Sequence, residues 1–299
     1  MFVKKFRINN FKINKSAFSL IEISIVILII GILVAGVTQA SRLVLMMKIQ
    51  TAKNITTSGP VMAISGLISW YEPVNDSSFD VAETDDQAFI TNWYDSNQQI
   101  SEKNNLNSTG AFRPKYKKDC INNLPCVEFS NAQYLSSTRE ISLINNLTIF
   151  LVIRFKAVST TDFDGIIMTN GPWITNNVHF QTLPSSSPIL RFSLLGWTAL
   201  HLDSTQSLVN NRNYLFSVVD NSSSMKYYFD GTLQTQSTIP TVPKRFSTFC
   251  LGCWFDGSNR QRYLDAYIGE IIMYDRALTN EERIDVEKYL AKKWAIKLL

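Results

Sequence analysis

LDAYIGEIIMYDRALTNEERIDVEKYLAKKW, residues 264–294, reads as a strand followed by a helix. Ala266 to Tyr274 is a mostly apolar run rich in isoleucine and tyrosine, of the length and composition of a buried strand. Thr279-Asn280-Glu281-Glu282 then has the form of a capping box, in which a threonine and a glutamate three positions on satisfy each other's backbone N–H. Val286, Tyr289, Leu290 and Trp294 follow at helical spacing and share one face. Acids open this helix and Lys292, Lys293 and Lys297 close it, as the helix dipole prefers.

Working back toward Leu67, the chain is a series of short apolar or alternating runs separated by Asn, Asp, Gly, Ser and Pro. Strands are predicted at Asn146–Phe155, Gly165–Thr169, Ile189–Leu195, Tyr214–Val219, Lys226–Phe229 and Ser247–Phe255, besides Ala266–Tyr274. Asp230-Gly231 joins Lys226–Phe229 to Thr232-Leu233-Gln234 as a tight hairpin, because glycine accepts positive φ at no steric cost. So many strands without intervening helical patterns argue for antiparallel sheets packed as a sandwich. Composition agrees: 299 residues, 45% hydrophobic and 18% charged, with mean hydropathy near zero, describe a globular chain.

Leu264 to Thr279 with the capped helix closely resembles the C-terminus of concanavalin-A-like, laminin-G-like jelly-roll domains. Trp93-Tyr94-Asp95, Arg113-Pro114-Lys115-Tyr116, and Val127-Glu128-Phe129 through Tyr134-Leu135 resemble the same family's early strands. The resemblance covers roughly residues 67–299. It implies a mainly β fold: an antiparallel jelly-roll sandwich preceded by one long N-terminal helix and closed by a C-terminal one.

The N-terminal helix is read at Phe18–Val37, FSLIEISIVILIIGILVAGV, where only Ser19, Glu22 and Ser24 are clearly polar. Twenty residues rising ~1.5 Å each span ~30 Å, the thickness of a bilayer's hydrocarbon core. Before it stand Lys4, Lys5, Arg7, Lys12 and Lys15 with no acid, which places that end in the cytoplasm and the body outside. A secretory signal peptide shares this layout, but its apolar stretch is shorter, and no small-x-small motif closes this one cleanly. No glycine or proline interrupts residues 38–58, so the helix continues past the membrane until Gly59-Pro60 stops it, with Gly36 as the one easy break. The expected organisation is a basic leader over 1–17, a helix transmembrane in its first half over 18–58, a linker over 59–66 and the sandwich over 67–299.

Glu22 is the anomaly, because a carboxylate inside a transmembrane segment costs a few kcal/mol unless it finds the interface or a partner. Lys15-Ser16-Ala17-Phe18-Ser19-Leu20-Ile21-Glu22 resembles the start of type IV prepilins and pseudopilins. That resemblance implies cutting between Ala17 and Phe18 by a prepilin peptidase, N-methylation of Phe18, and a role for Glu22 in assembly with other pilin or pseudopilin subunits. Ala17 stands where that family usually carries glycine. The implied protein sits in the inner membrane before assembly, with its body periplasmic or extracellular, and in a cell-surface filament afterwards.

Catalysis is not expected of the body. His179 and His201 are the only histidines, and neither accompanies a nucleophile-elbow pattern. Glu83-Thr84-Asp85-Asp86 reads as a solvated loop and Glu270 as a lone structural carboxylate, neither forming the spaced acid pair of a glycoside hydrolase. Asp162, Asp164 and Asp230 have the oxygen donors calcium uses, but turns need the same side chains, so no metal or cofactor is expected. Trp173, Trp197 and Trp254 fall near strand ends, where an indole either stacks on a sugar ring or fills the core. In an oxidising compartment the four cysteines read as local disulfides, Cys120 with Cys126 and Cys250 with Cys253. Five of the 29 basic residues belong to the leader, leaving 24 against 25 acids, so no nucleic-acid partner is expected. These readings converge on a minor pilin or pseudopilin with a lectin-like domain for adhesion to glycan or another surface. A membrane-anchored carbohydrate-active enzyme and a purely structural priming subunit are the alternatives.

Overall fold

The structure is a computed structural model that describes residues 19–130, 132–172, 177–194, 200–238, 243–246 and 248–299. Ala17, Phe18, Trp173 and Trp197 lie outside the described residues. The chain divides into two compact units, Met1–Met47 and Lys48–Leu299.

Helix α1 spans Leu20–Thr57, 38 residues or about 57 Å, and passes through Gly36 without a break. Ser58 N still bonds to Asn54 O before Gly59-Pro60 ends the pattern. In the first unit its apolar side chains from Leu20 to Val37 are exposed, and the helix is long and apolar enough to cross a membrane. Glu22 Oε2 accepts from Ser19 N at 2.8 Å, so the carboxylate caps the first turn, where the helix dipole favours negative charge.

The second unit is an antiparallel β-sandwich. One sheet runs in the order Thr232–Ser237, Met225–Phe229, Asn213–Asp220, Leu147–Phe155, Ala266–Tyr274, Cys126–Phe129, Lys115–Lys117, with Leu67–Tyr71 added on Ala266–Tyr274. The other runs Leu200–Ser207, Ile189–Leu194, Val178–Leu183, Gly165–Thr169, Phe249–Leu251, Leu135–Ser137, Leu106–Asn107, Asn92–Trp93. Strand periodicity decides what lies where. Leu147, Ile149, Leu151, Ile153 and Phe155 enter the core between the sheets, while Phe150 and Val152 point to the opposite face. That face is covered too. Helix α2, Asn280–Trp294, lays Val286, Tyr289, Leu290 and Trp294 on it, and Ala52, Val61 and Ile64 complete this second core. Covering on both faces is why the Leu147–Phe155 strand reads as a continuous apolar run rather than an alternating one.

Ala266–Tyr274 carries a register shift between Ile268 and Glu270 that lets Ile271 and Met273 return to the inner core while Glu270 turns to α2. Gly269 sits at this bulge, where a Cβ would lie 3.2 Å from the Trp294 ring and 3.0 Å from Val152. The capping box of α2 is present, with Thr279 and Glu282 bonded reciprocally. The predicted hairpin is present as well, Phe229 pairing with Thr232 around Asp230 and Gly231, both at positive φ. One expectation is corrected. Ser247–Phe255 is not a single strand: the Cys250–Cys253 disulfide closes a turn between Phe249–Leu251 in the second sheet and Trp254–Phe255, which pairs with Arg260–Gln261 in a separate small hairpin. Cys120–Cys126 is the other disulfide.

Candidate functional site

The outer face of the second sheet holds the candidate site. Along Val178–Leu183, Phe180 enters the core, so His179 and Gln181 point outward. Antiparallel register then aligns one outward row across the sheet: His201, Ser193, His179, Met168, Cys250, Ser136. Both histidines, 22 positions apart in sequence, therefore stand in a single row. A neighbouring row holds Asp203, Arg191 and Gln181, with Arg191 and Asp203 joined by two bonds of 2.6 and 2.7 Å.

The hairpin after Cys253 folds over this face and brings cations against aromatic rings. Arg262 lies 4.7 Å from the Trp254 ring centroid and 4.4 Å from that of Phe163, and donates to Gln181 Oε1 at 2.6 Å. Arg260 lies 4.1 Å from Tyr134 and 4.7 Å from Phe255, with Nη2 3.4 Å from Ser136 Oγ. Tyr134 in turn meets Phe112 at 5.7 Å, and Phe112 is 46% exposed. Two guanidinium and ring clusters thus lie on this face, the Arg260 cluster ending in the open ring of Phe112, each contact contributing on the order of 1 kcal/mol.

Trp254 is 8% exposed, its ring in contact with Arg262 and 5.8 Å from the ring of His179. Burial lowers the His179 imidazole to about 3, with Arg262 adding to the effect, so it is neutral at physiological pH. Ser193 Oγ lies 2.8 Å from His201 Nδ1, a serine and histidine brought together by cross-strand register alone. In a Ser-His-Asp triad the serine meets Nε2 and the acid meets Nδ1. Here Nδ1 is the atom facing the serine, and Asp203 is engaged by Arg191.

The remaining carboxylates singled out in the sequence are placed as follows. Glu83 accepts from Thr91, Asp85 pairs with Lys118 and Asp86 with Lys117. Asp230 accepts from Leu215 N and from Arg212, and Asp162 accepts from Phe163 N. Asp164 accepts from Ser159 N and Thr182 Oγ1, and burial pushes its carboxyl up to about 6. Glu270 is not alone. It is wholly buried between Trp70 Nε1, Tyr289 OH and Trp294 Nε1, and Lys293 joins it to Glu72. Lys293 therefore closes α2 from inside the second core rather than from its solvent face. A separate concavity of about 430 Å³ includes Trp70, Asp95, Ser96, Gln98 and Lys103; its Asp95 carboxylate is held by the backbone N–H groups of Trp70, Asn97 and Asn104.

The family description that matches this sequence, over residues 129–282, is the concanavalin A-like lectin/glucanases superfamily. The chain belongs to this superfamily. The matched residues of this lectin-like domain run from the Cys126–Phe129 strand to the first turn of α2. No curated protein matches the chain. Among solved structures, the lectin-like domain is similar to the receptor binding domain of botulinum neurotoxin type G, at 10% identity and a TM-score of 0.51, covering 78% of this chain and 54% of that one. Domain 4 of the extracellular arabinanase AbnA from Geobacillus stearothermophilus, in complex with arabinotriose, matches at 16% identity and a TM-score of 0.48, covering 74% and 98%. The Ruminococcus gnavus sialidase module bound to α2,3-sialyllactose matches at 12% and 0.42, covering 48% and 83%. At these identities the likeness is one of fold.

For ring stacking the sequence points only to tryptophans, and the roles of Arg260, Tyr134, Phe255 and Phe112 on this face come from the structure. The available signal was Arg260-Gln261-Arg262 after the turn Asp256-Gly257-Ser258-Asn259, a basic alternating pair beside an aromatic strand.

Proposed function

We propose that the lectin-like domain binds glycan without cleaving it, and that α1 anchors it as a minor pilin or pseudopilin of a type IV pilus-like or type II secretion-like filament. The observation that carries the binding reading is the Phe112–Tyr134–Arg260–Phe255 series, which presents an open ring at its outer end. An exposed ring beside polar side chains suits a sugar, whose C–H faces stack on aromatics while its hydroxyls take hydrogen bonds. Binding rather than hydrolysis is supported by the engagement of the acids: Asp203 is held by Arg191, and Glu270 and Glu72 are held by Lys293 with no exposure. The filament reading is supported by the Lys15–Glu22 motif and by the exposed apolar length of α1. A bulky body suits a tip or low-abundance position, in the inner membrane before assembly and on the cell surface after it.

Glycan-array binding of the full-length protein in detergent tests this reading. Expected are hits that Phe112→Ala weakens about tenfold at unchanged melting temperature, with no reducing sugar released. An array without hits, together with tight binding to another pilin subunit, makes the protein a structural priming subunit. Release of reducing sugar from a bound polymer makes it an enzyme.

A further inference from the structure

We propose that the saccharide recognised on this face is acidic, with a carboxylate or sulfate ester seated on the edge of Arg260; the inference rests on the glycan-binding reading above. Six arginines of the body close ion pairs with a carboxylate: Arg113, Arg139, Arg191, Arg212, Arg276 and Arg283. Arg260 does not, among the described residues. Among the described residues its one side-chain hydrogen bond is the long contact to Ser136 Oγ, and its buried Nε has no protein acceptor. The acid nearest in sequence is already committed, since Asp256 accepts from Ser258 N, Asn259 N and Gln261 Nε2.

Geometry defines what fits. Tyr134 and Phe255 pack against the guanidinium, their ring centroids 4.1 and 4.7 Å from Cζ, and with Nε buried the Nη edge is the part left to meet a ligand. A planar fork of N–H donors whose one internal acceptor is the long Ser136 contact matches a bidentate oxyanion, and the neighbouring rings exclude water that would otherwise weaken the pairing. The continuation of the stack to Phe112 adds an apolar platform for a pyranose ring. Oxyanion and sugar ring together describe an acidic polysaccharide, its charge supplied by uronate or by sulfate ester. The near-neutral body makes indiscriminate adsorption of polyanions a poor alternative.

Affinity electrophoresis of the full-length protein in detergent, through gels containing dextran sulfate, polygalacturonate or dextran, tests the proposal. Expected is retardation by at least one of the charged polymers and not by dextran. Dextran sulfate alone identifies sulfate ester, and polygalacturonate alone identifies uronate. Arg260→Gln should weaken binding at least tenfold, and Arg260→Lys should weaken it severalfold because the charge stays but the planar fork is lost, while the distant Lys226→Gln leaves it unchanged. Should Arg260→Gln lower the melting temperature, displacement of wild type from the charged gel decides: sodium sulfate should act at least tenfold better than sodium chloride at equal ionic strength, and equal potency overturns the proposal. Retardation by dextran equal to that by the charged polymers, insensitive to Arg260→Gln, overturns the acidic class and leaves glycan binding standing. Charged-polymer binding untouched by Arg260→Gln in a folded variant overturns the assignment to this residue. Failure of all three polymers and of the glycan array overturns both readings.

Discussion

Lys293 Nζ lies 2.9 Å from Glu270 Oε2, and neither side chain is exposed to solvent. Around this pair every polar atom has a role: Glu270 accepts from two indoles and a phenol, and Lys293 reaches on to Glu72, which accepts from Val74 N, Asn75 N and Ser78 Oγ. The cluster fastens α2 to the strand Ala266–Tyr274 and to the residues after Leu67–Tyr71. Removing the cation leaves two buried carboxylates without a counter-charge. Lys293→Met is expected to destabilise the domain by about 3–5 kcal/mol, and Trp70→Phe, which removes a single donor, by about 1–3 kcal/mol. Chemical denaturation of the two variants checks both values and their order.

Asp164 makes stability depend on pH. Its folded-state carboxyl is pushed up to about 6 by burial, with Asp162 and Asp265 adding to the shift, whereas an unfolded aspartate titrates near 4. Between those values the folded chain keeps a proton that the unfolded chain has released, so this residue's contribution to stability falls as pH rises from about 4 to 6. Asp164→Asn keeps an acceptor for Ser159 N and Thr182 Oγ1 and is expected to remove that fall. Above pH 6 the variant should be more stable, by on the order of 2–3 kcal/mol. Melting curves across pH 4–7 read this directly.

The two disulfides are local, and non-reducing peptide mapping should recover crosslinked peptides for Cys120–Cys126 and Cys250–Cys253 only. A crosslink between the two regions, or four free thiols, contradicts the pairing. Short loops give modest stabilisation, roughly 2 kcal/mol each in the chain-entropy account. The second link also sets the hairpin that carries Trp254 and Arg260, so Cys250→Ser with Cys253→Ser should lower binding on that face by more than the equivalent double change at Cys120 and Cys126.

Glu22 is expected to act in assembly rather than insertion. Under the filament reading proposed above, cutting after Ala17 would create an ammonium on Phe18, four positions before this carboxylate in sequence, and a neighbour's amine would meet it once subunits slide into register. Glu22→Ala should leave membrane insertion and processing largely intact and reduce recovery in sheared filaments, and Ala17→Leu should block processing. Immunoblots of processed and unprocessed forms alongside the surface fraction check both. Normal incorporation of Glu22→Ala, or a mature N-terminus other than Phe18, removes the pilin assignment.

Local chemistry alone determined much of this protein. An unbroken apolar run specified α1, the capping box placed the start of α2 at Asn280, and Asp230-Gly231 set a hairpin, because each depends on residues within a few positions of one another. Short-range proximity likewise made the cysteine pairs legible. The partners of buried polar groups were decided only by tertiary structure: Trp70 and Glu270 are 200 positions apart and Glu72 and Lys293 are 221 apart, distances over which no periodicity carries information. The candidate site has the same origin. Strand register set His201 beside Ser193, and a disulfide turn laid Arg260 against Tyr134 and Phe255, whose rings come from segments 121 residues apart in the chain. A residue's type states what it needs, a partner for its charge or cover for its ring, but only the packed sheets determine which distant residue supplies it.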